Sequence, residues 1–152
     1  MTAAPFSVGA YYYGDYVSAK PQGQYNGMWV NPLKAAGQYL DILNIMSYDA
    51  GPYTFYDTRN SWKGDYNPLE AYKAYRAIYK GVLNVGIEVP PEAWGGNVVT
   101  SDHIKQIAAG IDKTNGDGMF TWSLQKPSSG SLSVSGIHEL MCSSLGKTGC
   151  TT

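Results

Sequence analysis

Four times along the chain, a short run of β-forming apolar residues passes through a turn-rich stretch into a helical pattern. That alternation constrains the fold more than any other feature, because strands separated by helix-length crossovers pair in parallel, in an α/β sheet. The first run covers 6–13 and leads through a Gly- and Pro-containing loop, 14–31, to a short helical piece at 32–39. The second, 41–48, is followed by a long loop and a helix at 67–80. There Asn67 can cap, Pro68 suits the first turn, and Leu69, Tyr72, Tyr75, Ile78 and Tyr79 make one face apolar. Glu70 and Lys73 fall toward solvent, with Arg76 at the border. The third run, 82–89, must stop at Pro90-Pro91, which a central strand does not tolerate. Its helix, 101–112, is capped by Thr100 or Ser101. The fourth run, 118–124, is entered through Asn115-Gly116-Asp117-Gly118 and left through Lys126-Pro127-Ser128-Ser129-Gly130, before a final helix at 135–145.

Four such units in 152 residues average about 38 residues each, the spacing of a (βα)8 barrel, so the count predicts half a barrel in one domain, 1–152. The competing architecture is a doubly wound open sheet, which usually binds a nucleotide at its switch point. No Gly-x-Gly-x-x-Gly or Gly-x-x-x-x-Gly-Lys-Ser/Thr follows any strand, so nucleotide binding has no motif to support it.

A formal net charge of −1 supplies no field for a polyanion or an anionic membrane surface. No apolar run approaches the roughly 20 residues that span a bilayer, and the first residues lack the pattern of a signal peptide. With 13 Tyr and 4 Trp but only 15% charged residues, the composition suits a sugar-binding surface, where aromatic faces stack on pyranose rings; tyrosines lying between core and solvent explain it equally. Cys142 and Cys150 form either a small terminal disulfide loop or two free thiols.

Ligands gather at the carboxyl ends of parallel strands, and the second run ends in Met46-Ser47-Tyr48-Asp49. Met46, Tyr48 and Asp49 are therefore the first site candidates. Glu88, at the end of the neighbouring run, could form an acid/base pair with Asp49, hydrogen-bond a substrate hydroxyl, or join a salt bridge. Trp94 and Trp62 lie in loops after strands, where they extend a sugar cleft or pack on their own scaffold. Tyr11, Tyr12, Tyr13 and Tyr16 cluster near the end of the first run. His103 and His138 sit in helical patterns away from metal-ligand spacing and read as ordinary histidines; no metal or cofactor is implied.

Met-x-Tyr-Asp at Met46, the strand from Lys80 to Pro90, and Gly118-Met119-Phe120-Thr121-Trp122-Ser123-Leu124 together resemble, in order, strands six, seven and eight of glycoside hydrolase family 18, the chitinases and their relatives. Residues 7–14 then correspond to strand five. The resemblance implies the C-terminal half of a (βα)8 (TIM) barrel from a secreted, metal-independent hydrolase of β-1,4-linked N-acetylglucosamine. In such enzymes the substrate's own acetamido oxygen attacks the anomeric carbon, an exception to the two-carboxylate scheme. Tyr48 would hold the acetamido group and Asp49 would stabilise developing positive charge. Met46 would line the pocket wall, Trp122 would stack beneath the sugar, and Glu88 and Trp94 would contact substrate. The chain contains no Asp-x-x-Asp-x-Asp-x-Glu, the motif carrying the catalytic acid, and no Ser-x-Gly-Gly. Alone it is expected to be inactive: part of a chitinase-like hydrolase, a non-catalytic binder of chitin oligosaccharides, or a half-barrel that assembles with itself or with an N-terminal half.

Overall fold

The structure, a computed structural model, describes residues 1–11, 25–49, 68–93 and 97–151. Strands β1 (Thr2–Ala3), β2 (Ile42–Ile45), β3 (Val82–Glu88) and β4 (Gly118–Trp122) form one sheet, all parallel and in chain order. Helices α1 (Val30–Ala36), α2 (Pro68–Ile78), α3 (Ser101–Gly110) and α4 (Val134–Ser144) follow the strands in turn. The protein is thus an α/β fold with a four-stranded parallel sheet.

Strand alternation divides the sheet into two unlike faces. Leu43, Ile45, Leu83, Val85 and Ile87 are buried in a single core with Leu33 of α1, Ala71, Tyr72 and Tyr75 of α2, Ile104 and Ile107 of α3, and Ile137 and Met141 of α4. The opposite face carries Ile42, Asn44 and Met46 on β2 and its extension, and Asn84 on β3, all only half-buried. Asn84 Nδ2 donates to Asn44 Oδ1 across the two strands at 2.9 Å.

The first strand differs from its expected place. Over its described part, 6–11, the expected strand at 6–13 gives way to two residues at Thr2–Ala3 and a single bridge from Phe6 to Met46. Pro5 has no N–H for a ladder, although its carbonyl still accepts from Met46 N at 2.9 Å. Beyond it Ser7–Ala10 curls into a 3₁₀ turn, with Gly9 N donating to the Phe6 carbonyl. Tyr12, Tyr13 and Tyr16 lie outside the described residues, as do Asn67, Trp62 and Trp94.

The second helix presents the expected face. Its two tyrosines and Tyr79 just past its end are buried, yet each hydroxyl has a partner: Tyr72 donates to Asp117 Oδ2 (2.6 Å), Tyr75 to the Phe6 carbonyl (2.6 Å) and Tyr79 to the Leu40 carbonyl (2.8 Å). Tyrosine serves here as a core residue with a polar tip. With Tyr11 also fully buried, part of the aromatic composition belongs to the scaffold rather than to a ligand surface.

Polar side chains fix the remaining ends. Thr100 caps α3 in a reciprocal box: His103 N donates to Thr100 Oγ1 and Thr100 N donates to His103 Nδ1. Ser133 caps α4, and Thr121 on β4 hydrogen-bonds His138 on that helix at 2.6 Å. Cys142 and Cys150 are bonded to each other, closing a short loop after α4. Among the described residues no helix is long and apolar enough to cross a membrane.

Candidate functional site

Register sets the site. Asn84 is paired with Asn44 and Gly118, Gly86 with Phe120, and Glu88 with Trp122. Residues paired across parallel strands point the same way, so Asn44, Met46 and Tyr48 along the second strand share the open face with Phe120 and Trp122. Glycine at 86 is what lets Phe120 lie flat on the sheet, for a Cβ there would clash with the ring and approach the Ile45 carbonyl oxygen to 2.8 Å. The Phe120 ring in turn meets Tyr48 edge-on, with centroids 6.3 Å apart.

At the carboxyl edge stand Tyr48 and Asp49, then Glu88, then Trp122. Trp122 is 57% exposed, an unusual state for an indole at the end of a strand. The chain leaves it through a cis Trp122–Ser123 peptide. Tyr48 is half-buried, and burial, aided by the nearby charges of Glu88 and Asp49, pushes its hydroxyl up to about 12. It therefore keeps its proton and can both donate and accept. Asp49 adopts a left-handed conformation, φ 52°, and is the only described non-glycine residue with positive φ.

Glu88 is buried, 2% exposed. Its Oε1 is ion-paired with Lys126 and accepts from Ala93 N at 3.2 Å, while Lys126 also donates to the Pro91 carbonyl. Among the three roles open to it from sequence, the salt bridge is the one formed.

Glu92 was not foreseen. The chain doubles back after Pro90-Pro91 and returns a second carboxyl to the strand ends, 2% exposed. Its Oε2 accepts from Asp49 N at 3.0 Å and from Asn97 Nδ2 at 3.3 Å. Burial pushes Glu92 up to about 7, the charges of Asp49 and Glu88 add to the rise, and the two hydrogen bonds oppose it. The sequence signal was the pair Glu88 and Glu92 flanking a double proline, a turn that can bring both carboxyls to one place.

A second aromatic feature adjoins the site. The Phe6 ring, aligned with Met46 by the bridge, stacks on Tyr25 with centroids 4.5 Å apart, and both are about two-fifths exposed (40% and 42%). Of the expected residues, Met46, Tyr48, Asp49, Glu88 and Trp122 meet at one edge; Trp94 lies outside the described residues. Among the described residues no group of three or more His, Cys, Asp or Glu could hold a metal ion. Comparison with protein-family models, with curated proteins and with solved structures finds no match.

Proposed function

We propose that this chain is the sugar-binding part of a chitinase-like glycoside hydrolase, equivalent to strands five to eight of a (βα)8 barrel, acting on β-1,4-linked N-acetylglucosamine. The observation that carries the reading is the row Tyr48, Glu88 and Trp122 at the carboxyl ends of adjacent parallel strands, with Asp49 beside it. Each group suits one part of an N-acetylglucosamine unit. The exposed Trp122 indole offers a stacking floor for the ring. A Tyr48 hydroxyl that stays protonated can hold the acetamido group in line with the anomeric carbon, a gain of orientation. The Asp49 carboxylate faces the positive charge that develops as the oxazolinium ion forms. Within this row the buried Glu88 is held by its ion pair with Lys126.

The chain supplies no group for protonating the leaving oxygen, since the acidic motif is missing from its sequence. It is a binding half whose catalytic acid belongs to other residues of the parent hydrolase. The Cys142–Cys150 disulfide suits secretion, the location the resemblance implies. A second reading, assembly with a copy of itself or with an N-terminal half, is favoured by the sheet edges beyond β1 and β4, which pair with no other described strand.

Calorimetric titration with chitotetraose tests the binding. The chain is expected to bind, and Trp122→Ala to weaken binding about tenfold or more without lowering the melting temperature, since losing an aromatic stacking contact removes on the order of 1 kcal/mol beyond the area it covers. No product should appear from a chromogenic chitobiose glycoside. Turnover that vanishes in Glu88→Gln would return the acid/base role to Glu88 and Asp49.

A further inference from the structure

Asp49 is held in a backbone state that a non-glycine residue rarely adopts, and its N–H donates to a buried glutamate on a different loop. Left-handed turns of this kind cost of the order of a kilocalorie, so they persist only where surrounding structure imposes them. The Asp49 N–H donates 3.0 Å to Glu92 Oε2, and the same oxygen takes the Asn97 amide at 3.3 Å. Glu92 is thereby clamped to the loop after β3 while it holds the turn after β2.

We propose that Glu92 is the positioning residue of the site: by accepting the Asp49 N–H it fixes the left-handed turn that sets the Tyr48 hydroxyl and the Asp49 carboxylate toward the sugar. The inference rests on the sugar-binding reading above for its consequence, but not for the contact itself. Glu92 is buried under the strand ends and touches the turn backbone, so it acts through Tyr48 and Asp49 rather than on the substrate.

The charge of Glu92 tunes this grip. A carboxylate accepts an N–H more strongly than a neutral acid does. Glu92 Oε1 is buried with no hydrogen-bond partner among the described residues, so the ionised form is poorly solvated. Among the described residues, the groups facing it are the Asp49 and Glu88 carboxylates, which disfavour its charge, and the Asn97 amide and Asp49 N–H, which favour it. Lys126 is neighbour to Glu88 and to the Pro91 carbonyl rather than to Glu92, and the Tyr48 hydroxyl remains neutral up to about 12. Glu92 therefore ionises near 7, and the turn is held tighter above that pH than below it.

The test uses the full chain, with two readouts. In ¹⁵N-labelled protein without ligand, the Asp49 amide resonance should move with a midpoint near 7 and should stop titrating in Glu92→Gln. Chitotetraose affinity should rise through the same midpoint in the wild type and become independent of pH in Glu92→Gln, whose amide oxygen still accepts the N–H. Glu92→Ala should bind about tenfold or more weakly than the wild type above that midpoint, the effect of losing one hydrogen bond to a charged group, and less so below it. A merely structural glutamate would change the melting temperature without moving the pH profile. An Asp49 amide that ignores pH in the wild type, or Glu92→Gln retaining the wild-type profile, overturns the proposal. If the wild type binds no chitotetraose while the Asp49 amide titrates with Glu92, the sugar reading fails and the positioning of the turn stands.

Discussion

At the scale of single residues, Glu92 has a consequence for stability as well as for the site. Its carboxyl ionises near 7 in the folded chain against an ordinary 4.5. Between those values the folded state holds a proton that the unfolded state has released, so stability is highest below the lower value and falls as pH rises through the higher one. The shift corresponds to a loss on the order of 3 kcal/mol. Urea unfolding at about pH 4 and about pH 8 should show this loss in the wild type and its absence in Glu92→Gln. Parallel behaviour of the two proteins would remove Glu92 as the cause. The places of Glu88 and Trp122 were legible in the sequence because strand parity and a strand's last residue suffice to aim a side chain, and Tyr48 continues the parity of β2; the left-handed turn at Asp49 was not. Glu92 was not, because its proximity to Asp49, 43 positions away, is made only by the folded turn.

At the scale of elements, the amino ends of the strands carry the counterpart of the site. Asp117, just before β4, has a fully buried side chain. It accepts both Arg76 Nη2 contacts (2.8 and 2.6 Å), the Tyr72 hydroxyl (2.6 Å), Leu83 N (3.0 Å) and Asn115 Nδ2 (3.1 Å). Arg76 also donates to the carbonyls of Tyr79 and Gly81. One carboxylate thus ties α2 to the starts of β3 and β4, and removing one partner of a buried ion pair costs about 3–5 kcal/mol. Asp117→Ala should lose about that much in urea unfolding. Chitotetraose affinity of the fraction still folded should be unchanged, because the carboxyl-end residues are untouched; a large change in affinity with small loss of stability would contradict this division of labour. Sequence periodicity located the helices and β2 to β4 within a few residues, since each has a clear apolar face or a Pro or Gly boundary. The first strand was misplaced because its apolar content lies after Pro5, where the chain has already turned into 3₁₀ geometry, and only two residues before it pair. Helical periodicity places Arg76 at the border of the apolar face, which its half-buried position matches, but its partner Asp117 sits in the sequence as part of a turn signal.

At the scale of the whole molecule, the helices close one face of the sheet and leave the other to the site. On that side and around it, Phe6 (40%), Trp122 (57%) and Leu124 (65%) remain exposed. Covering what remains exposed of these three would be worth together about 2–5 kcal/mol, a sizeable part of the entire stability of a small domain, about 5–15 kcal/mol. The net charge of −1 provides little repulsion to keep copies apart. A closed barrel would cover the open face and pair both outer edges, so the proposed half-barrel should associate through them, with a copy of itself or with an N-terminal half. The expected outcome is a sedimentation coefficient and a melting midpoint that both rise with protein concentration, and a further rise in the midpoint when a separately produced N-terminal half of a chitinase barrel is added. Chitotetraose should compete with self-association, since Trp122 cannot stack on a sugar and lie in an interface at once. A compact monomer with a concentration-independent midpoint would sink the half-barrel reading, and would make the open face a finished binding surface.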